Sequence, residues 1–310
     1  MLVGVSIVGY VTQPVLPVRP SASAVRADPA RLRAHVEMLA SSLVPRTARQ
    51  RENLARAAEY IGATFAAAGV ESSFQTFEVK GQTYRNVVAL VGPDTAERIV
   101  VGAHYDAAGP GVGADDNASG VAGLLEVARL LRSQDLPMRV ELVAYTLEEP
   151  PYFRSHAMGS FVHADGLKKS GTAVRAMISL EMIGAFSDAP GSQQYPISLM
   201  ELMYPTKGNF IAVVGALGQA GVVRRVKRAM SASAALPVWS INAPRAIPGI
   251  DFSDHFNYWD AGFNAVMVTD TSFYRNSNYH EATDTPETLD YSRMASVVEQ
   301  VLGAILALSR

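Results

Sequence analysis

From Asp28 onward two hydrophobic periods take turns along the chain, and no other feature constrains the fold as much. Leu32, Val36, Leu39 and Leu43 recur at helical spacing, as do Leu54, Ala58, Ile61 and Phe65 in a run that stops at Gly69. Three short runs rich in β-branched and aromatic residues follow, at 72–79, 84–91 and 98–104. A helix beginning near Asn117 presents Val121, Leu124, Leu125, Ala128 and Leu131 on one face. Residues 139–146 read as a strand, 155–167 as a helix and 173–182 as a strand. After a long loop from Gly184 to Gly208, residues 209–215 read as a strand, 218–231 as a helix and 264–270 as a strand; Met294, Val298, Val301, Ile305 and Leu308 line a closing helix. Strands alternating with helices predict an α/β sandwich with a largely parallel or mixed sheet.

The 310 residues are enough for a sizeable core, and no repeat or clean linker divides the chain after residue 28. Residues 28–310 are therefore expected to form one domain. Residues 1–27 are set apart: an apolar run to Val18, broken by Thr12, Gln13 and Pro14, then a linker or cleavage region at 18–27. They read equally as a disordered or strand-like leader and as an export signal or anchor, so an exported or membrane-anchored protein is favoured over a cytoplasmic one. The run is too short for a stable membrane span. With 48% hydrophobic and 18% charged residues the chain is globular. A formal net charge of -2 gives no case for nucleic acid or an anionic membrane as partner, and Arg224, Arg225, Lys227 and Arg228 read as the wet face of one helix. The absence of cysteine excludes disulfides, a thiol nucleophile and Cys-ligated zinc.

The chemistry gathers at strand ends. In open α/β sheets ligands bind outside the carboxyl ends of the strands. His104 and Asp106 close one strand, Asp116 opens the next helix, and Glu148 and Glu149 follow another strand. Glu181 ends the apolar run before it, and His280 lies in the loop after residues 264–270. The stretch VGAHYDAAGPGVGADDNASG (101–120) holds four acidic or imidazole groups and no Lys or Arg. Such groups repel once ordered unless a cation binds among them. Two histidines and three carboxylates suit a pair of zinc-like divalent ions, with one carboxylate bridging them.

The pieces H-x-D, G-A-D-D-N-x-S-G, E-E, a strand ending in acid-Met-x-Gly, and Y-H followed by D-T resemble those of the M28 family of zinc aminopeptidases. The resemblance runs from about Asp28 to the C-terminus. It implies a single three-layer α/β/α domain with a central mixed, twisted sheet, a cis peptide at Asp116–Asn117, and two zinc ions, other divalent metals being possible. It implies hydrolysis of N-terminal peptide bonds by a water activated between bridged zinc ions, with peptides as substrates. Carried over residue by residue, His104 and Glu181 match the first metal's ligands, Asp116 the bridge, and Glu149 and His280 the second metal's ligands. Glu148 matches the general base, Asp106 the residue that orients His104, and Tyr279 a tyrosine that assists oxyanion stabilisation. Better-known members carry aspartate where this chain has Glu181, and the extra methylene must fold to keep the carboxylate in place. Two other outcomes stay open: a glutaminyl-cyclase-like acyltransferase on the same fold, and a non-catalytic peptide-binding ectodomain.

The remaining polar residues have ordinary expectations. Asp115 reads as a solvated acid, Asn117 as a helix N-cap, and His35, His156 and His163 as helix-surface residues. Ser253, Asp254 and His255 are adjacent and cannot form a hydrolase triad. The latter two are expected to cap the helix before Trp259 or to line the pocket. Phe186, Tyr195 and Tyr204 are candidates for an apolar pocket wall.

Overall fold

The structure, a computed structural model, describes residues 2–16, 26–109, 111–234 and 236–310. Most of the expected linker or cleavage region thus lies outside the described residues. Eight strands form one mixed sheet: β1 (Glu71–Val79), β2 (Gln82–Val91), β3 (Glu97–His104), β4 (Arg139–Tyr145), β5 (Ala173–Glu181), β6 (Ile211–Ala216), β7 (Val238–Ala243) and β8 (Ala265–Thr269). Their order across the sheet is β1-β2-β4-β3-β5-β8-β6-β7. The middle four, β4, β3, β5 and β8, are mutually parallel; β1 is antiparallel to β2, β2 to β4 and β6 to β8, and β6 and β7 run parallel to each other. The β1–β2 hairpin turns through Lys80 and Gly81, both at positive φ, the geometry that matches strand twist in a two-residue turn.

The helices are α1 (Leu2–Thr12), α2 (Pro29–Glu37), α3 (Arg51–Ala67), α4 (Gly120–Leu131), α5 (Gly159–Lys169), α6 (Ala220–Ser231), α7 (His255–Ala261) and α8 (Tyr291–Leu308). Alternation in the central strands feeds two cores. Ile99 and Val101 of β3 join the large core under α2, α3, α4, α6 and α8, while Val100 faces the smaller one under α5 and α7. Both faces of the parallel strands are covered, which is why they read as continuous apolar runs. The three-layer α/β/α architecture and its mixed sheet match the expectation.

Three local differences have physical reasons. β7 was not foreseen: Ser240 and Asn242 interrupt its apolar pattern, and it is an edge strand whose outer residues are half-buried. The helix expected from residue 155 begins at Gly159, because residues 150–158 turn repeatedly after the cis Pro150–Pro151 bond. The helix expected near Asn117 is entered through a wide turn, Ala114–Ser119, before α4 proper. Lys227 also departs from the wet-face reading of α6: it is buried, and its ammonium donates to the Thr12 carbonyl.

Candidate active site

Because β3, β4, β5 and β8 are parallel, their carboxyl ends open on one side, and each delivers acid or imidazole groups there. The turn before α4 adds Asp116, whose peptide bond to Asn117 is cis, as the resemblance implies. Asp116 faces both histidines. Its Oδ1 lies 3.4 Å from His104 Nε2, and its Oδ2 lies 3.1 Å from His280 Nε2. Glu181 Oε2 is 3.3 Å from His104 Nε2, Glu148 Oε2 is 3.9 Å from the same nitrogen, and Glu149 Oε2 is 3.3 Å from His280 Nε2. Donor atoms of His104, Asp116 and Glu181 fall within 4.8 Å of one another, as do those of Asp116, Glu149 and His280. A divalent ion could be held in either set.

The electrostatics agree with that capacity. Burial opposes a charge on His104, but Glu181 and Glu148 outweigh it and hold the imidazole well above its usual range. Burial likewise opposes a charge on His280, whereas Asp116 and Glu149 push it up to about 10. Burial and the neighbouring Asp116 raise Glu149 to about 8. Burial would raise Asp116 too, but the two imidazoles that face it hold it below the usual carboxylate range. These acids keep protons on the two rings, and protons in such sites are what a bound cation displaces. His280 Nε2 is buried without a hydrogen-bond partner, an orphan that an ion between Asp116 and Glu149 would satisfy.

Supporting contacts fix these side chains. His104 Nδ1 sits 3.2 Å from the Asp106 carbonyl oxygen, an acceptor that makes Nδ1 the donor and leaves Nε2 facing the carboxylates. The Asp106 carboxylate, 3.6 Å from Nδ1, accepts instead from the backbone N–H groups of Glu148 and Glu149. The left-handed residue Leu147 turns β4 out of the sheet just before this pair. The extra reach of Glu181 is taken up by Ser253, whose hydroxyl donates to Glu181 Oε2 at 2.7 Å. Asp284 accepts from the backbone N–H groups of Asp115 and Asp116, tying the loop after His280 to the turn before α4. The Tyr279 ring stacks on His280 at 3.8 Å between centroids, and burial raises its phenol, keeping the hydroxyl a donor.

Several ordinary expectations need correction. Asp115 is fully buried, accepting from Gly184 N–H and from the Asn276 amide; no stretch of solvated loop surrounds it. Asn117 makes the expected capping bond from Gly120 N–H, and also clamps the end of β5 through Leu180 O and Met182 N–H. His163 is buried, hydrogen-bonded to the Tyr258 hydroxyl and Glu141, because α5 packs inward on that side. His35 is half-buried against Tyr60, and His156 is exposed in the turn before α5. Asp254 occupies the N-cap position of α7 without a capping bond; neither it nor His255 lines the pocket. Its carboxyl is buried without a partner and raised to about 7, chiefly by burial.

The sequence reading missed Ser253, Asp284 and Arg46. Arg46 is buried beneath the site and donates to the carbonyls of Leu39, Tyr105, Val112 and Gly113. The loop of acids thus has a cation after all, supplied from 59 positions before Tyr105. Only the D-T at Asp284 carried any signal.

A pocket of about 260 Å³ opens beside the carboxylates. Tyr195, Met200, Tyr204, Phe210, Trp239 and Phe252 wall it, with Tyr279 and His280 at the rim. Phe186 does not reach it, but packs against the large core with the Arg275 guanidinium over its ring.

Comparisons with known proteins agree with this geometry. The model described as Peptidase family M28 matches residues 86–305. The uncharacterized protein YfbL of Escherichia coli is 49% identical over 89% of this chain and 87% of its own length. Leucine aminopeptidase 1 of Metarhizium robertsii is 26% identical over 72% of this chain, which spans only 54% of that enzyme. Among solved structures, the zinc aminopeptidase BSAP of Bacillus subtilis superposes with a TM-score of 0.73 at 15% identity, over 91% of this chain and 95% of that one. Fimbriiglobus ruber glutaminyl cyclase does so with a TM-score of 0.68 at 19% identity, over 94% and 99%. At such identities the two structures speak for the fold alone.

Proposed function

The chain belongs to peptidase family M28 and is a metallopeptidase, and on that premise we propose an aminopeptidase with two zinc sites that removes apolar N-terminal residues from peptides. The observation that carries the proposal is the Asp116 carboxylate, one oxygen toward His104 and the other toward His280. In this reading His104, Glu181 and Asp116 would hold one ion, and Glu149, His280 and Asp116 would hold the other. When bound, the ions supply Lewis-acid polarisation of the scissile carbonyl and lower the pKa of water.

The chain's own residues do the rest. Glu148 lines the pocket and faces the site; it accepts the proton of the attacking water and passes it to the leaving amine. Burial raises Glu148 well above the usual carboxyl range, which suits a group that must hold that proton between the two steps. Tyr279 donates its hydroxyl to the developing oxyanion. Asp106 holds the backbone that aims Glu148 and Glu149. The apolar pocket receives the first side chain of the substrate and excludes water around it. Residues 28–310 form the peptidase domain, and α1, expected as a disordered or strand-like leader, is a helix that packs along its β7 edge.

The glutaminyl-cyclase alternative uses the same fold with a single zinc. Donor sets for two ions, with both histidines present, favour the peptidase. Hydrolysis of a panel of aminoacyl-p-nitroanilides, run beside cyclisation of an N-terminal glutaminyl peptide, separates them. The proposal expects release of nitroaniline, fastest with leucine or aromatic residues, and no cyclisation. Cyclisation without peptide hydrolysis would refute it.

A further inference from the structure

Adjoining the catalytic pocket, a second cavity of about 660 Å³ lies between α1, the turn Ser198–Leu202 and the segment after β6. Its lining is almost wholly apolar and includes Ile7, Tyr10, Leu199, Met203 and Leu217. Leu199 is 64% exposed, Leu202 82% and Leu217 53%. Among the described residues, seven of the twelve exposed large apolar side chains fall on α1, on residues 197–202 or at Leu217. Scattered exposed apolar residues are ordinary, whereas a contiguous patch marks an interaction surface.

Charge identifies the occupant. Residues 1–18 carry no charged side chain. Beside them α6 exposes Arg224, Arg225 and Arg228 and contains no acid, and Arg224 Nε donates to Gln13 Oε1 at the end of α1. Glu201 is the lone acid of the turn. An apolar face rimmed by arginines matches an anionic bilayer surface, where apolar side chains enter the headgroup boundary and arginines meet phosphates. A second copy fits less well, since a two-fold interface would set one arginine rim against the other. The 11 residues of α1 make about 16 Å of helix, against a hydrocarbon core of about 30 Å, and no helix among the described residues is long and apolar enough to cross a membrane. α1 lies along the edge strand β7, where its Thr12 carbonyl accepts from Ser240 and Lys227.

We infer that this face docks the protein onto an anionic phospholipid surface. Net charge concealed the feature, because it averages these local arginines over the whole chain. Met200, Ile241 and Ile247 line both cavities, so docking brings the catalytic pocket to within one side-chain layer of the lipid.

Cosedimentation of the full chain with vesicles tests the inference. Phosphatidylcholine vesicles are compared with vesicles that also contain phosphatidylglycerol. The chain is expected to pellet with the anionic vesicles, less so as salt rises. Leu199→Asp combined with Leu202→Asp should weaken binding by about tenfold or more, since each charge must enter the interface, while hydrolysis of a soluble aminoacyl-nitroanilide is unchanged. If that double variant proves misfolded, Arg224→Ser with Arg225→Ser puts the same question to the rim and should lower binding to anionic vesicles only. A chain that stays in the supernatant with both vesicle types, or whose folded variants bind as the parent does, overturns the inference. So does a dimer in sedimentation equilibrium that Leu199→Asp dissociates without any vesicle binding, which assigns the face to a second copy.

Discussion

Asp106 serves two neighbours at once, its carbonyl toward His104 and its carboxylate toward the backbone of Glu148 and Glu149. An amide in its place would turn an NH₂ group toward one of those N–H donors. Asp106→Asn is therefore expected to weaken metal binding by about 10–100-fold, the usual effect of losing a ligand's supporting partner. Calorimetric titration with zinc reads this, and an unchanged affinity would mean the clamp is idle. Glu148→Gln preserves shape but cannot take a proton, so kcat should fall by roughly 10²–10⁴-fold with metal content intact. Glu181→Ala should weaken the site shared with His104 and spare the one at Glu149 and His280; two sites of unaltered affinity would remove Glu181 from the proposal. The acids and histidines were legible because each closes or follows a strand, where a period of two gives way to polar residues. Arg46 and Ser253 were not, because each acts on backbone or side chains far away in sequence and sits in an unremarkable local pattern; Asp284 showed only as the acid of the D-T pair.

The entry to α4 shows how an element sets the site. A Cβ on Gly120 would stand 2.3 Å from Asn117 Oδ1 and 2.6 Å from the Leu180 carbonyl, so only glycine lets the helix start this close to β5. That approach allows Asn117 to bind Leu180 and Met182, fixing the strand end that presents Glu181. Gly120→Ala is expected to destabilise the protein by about 1–3 kcal/mol, as overpacking of a tight contact does. A shift in the denaturation midpoint measures it, and a midpoint equal to the parent's would show that the contact yields freely. The central strands were readable as elements because they are buried on both faces. β7 was not, since an edge strand needs less apolar surface and carries Ser240 and Asn242 to meet α1.

At the scale of the whole molecule, the site concentrates acids that fold at a disadvantage without a cation. Glu149, raised to about 8, keeps in the folded state a proton that the unfolded chain sheds near about 4.3. Its contribution to stability is full below that pH and lost as pH rises toward 8. His280, raised to about 10, has the same sign: full below about 6.5 and lost on the way to 10. Asp116 acts oppositely, but its window lies below about 3.9. The metal-free protein should thus melt at a lower temperature at pH 8 than at pH 6, and zinc should raise the melting temperature more at the higher pH, since metal and protons compete for the same atoms. Melting curves with and without chelator check this, and a metal-free protein that is steadier at pH 8 would contradict it. The measurement that bears most directly on the central claim joins metal content to activity: the chelated protein is titrated with zinc while hydrolysis of leucine-p-nitroanilide is followed. The account predicts no hydrolysis in the chelated protein and full activity as two equivalents of zinc bind per chain; full hydrolysis by protein that elemental analysis shows to be free of metal would contradict it.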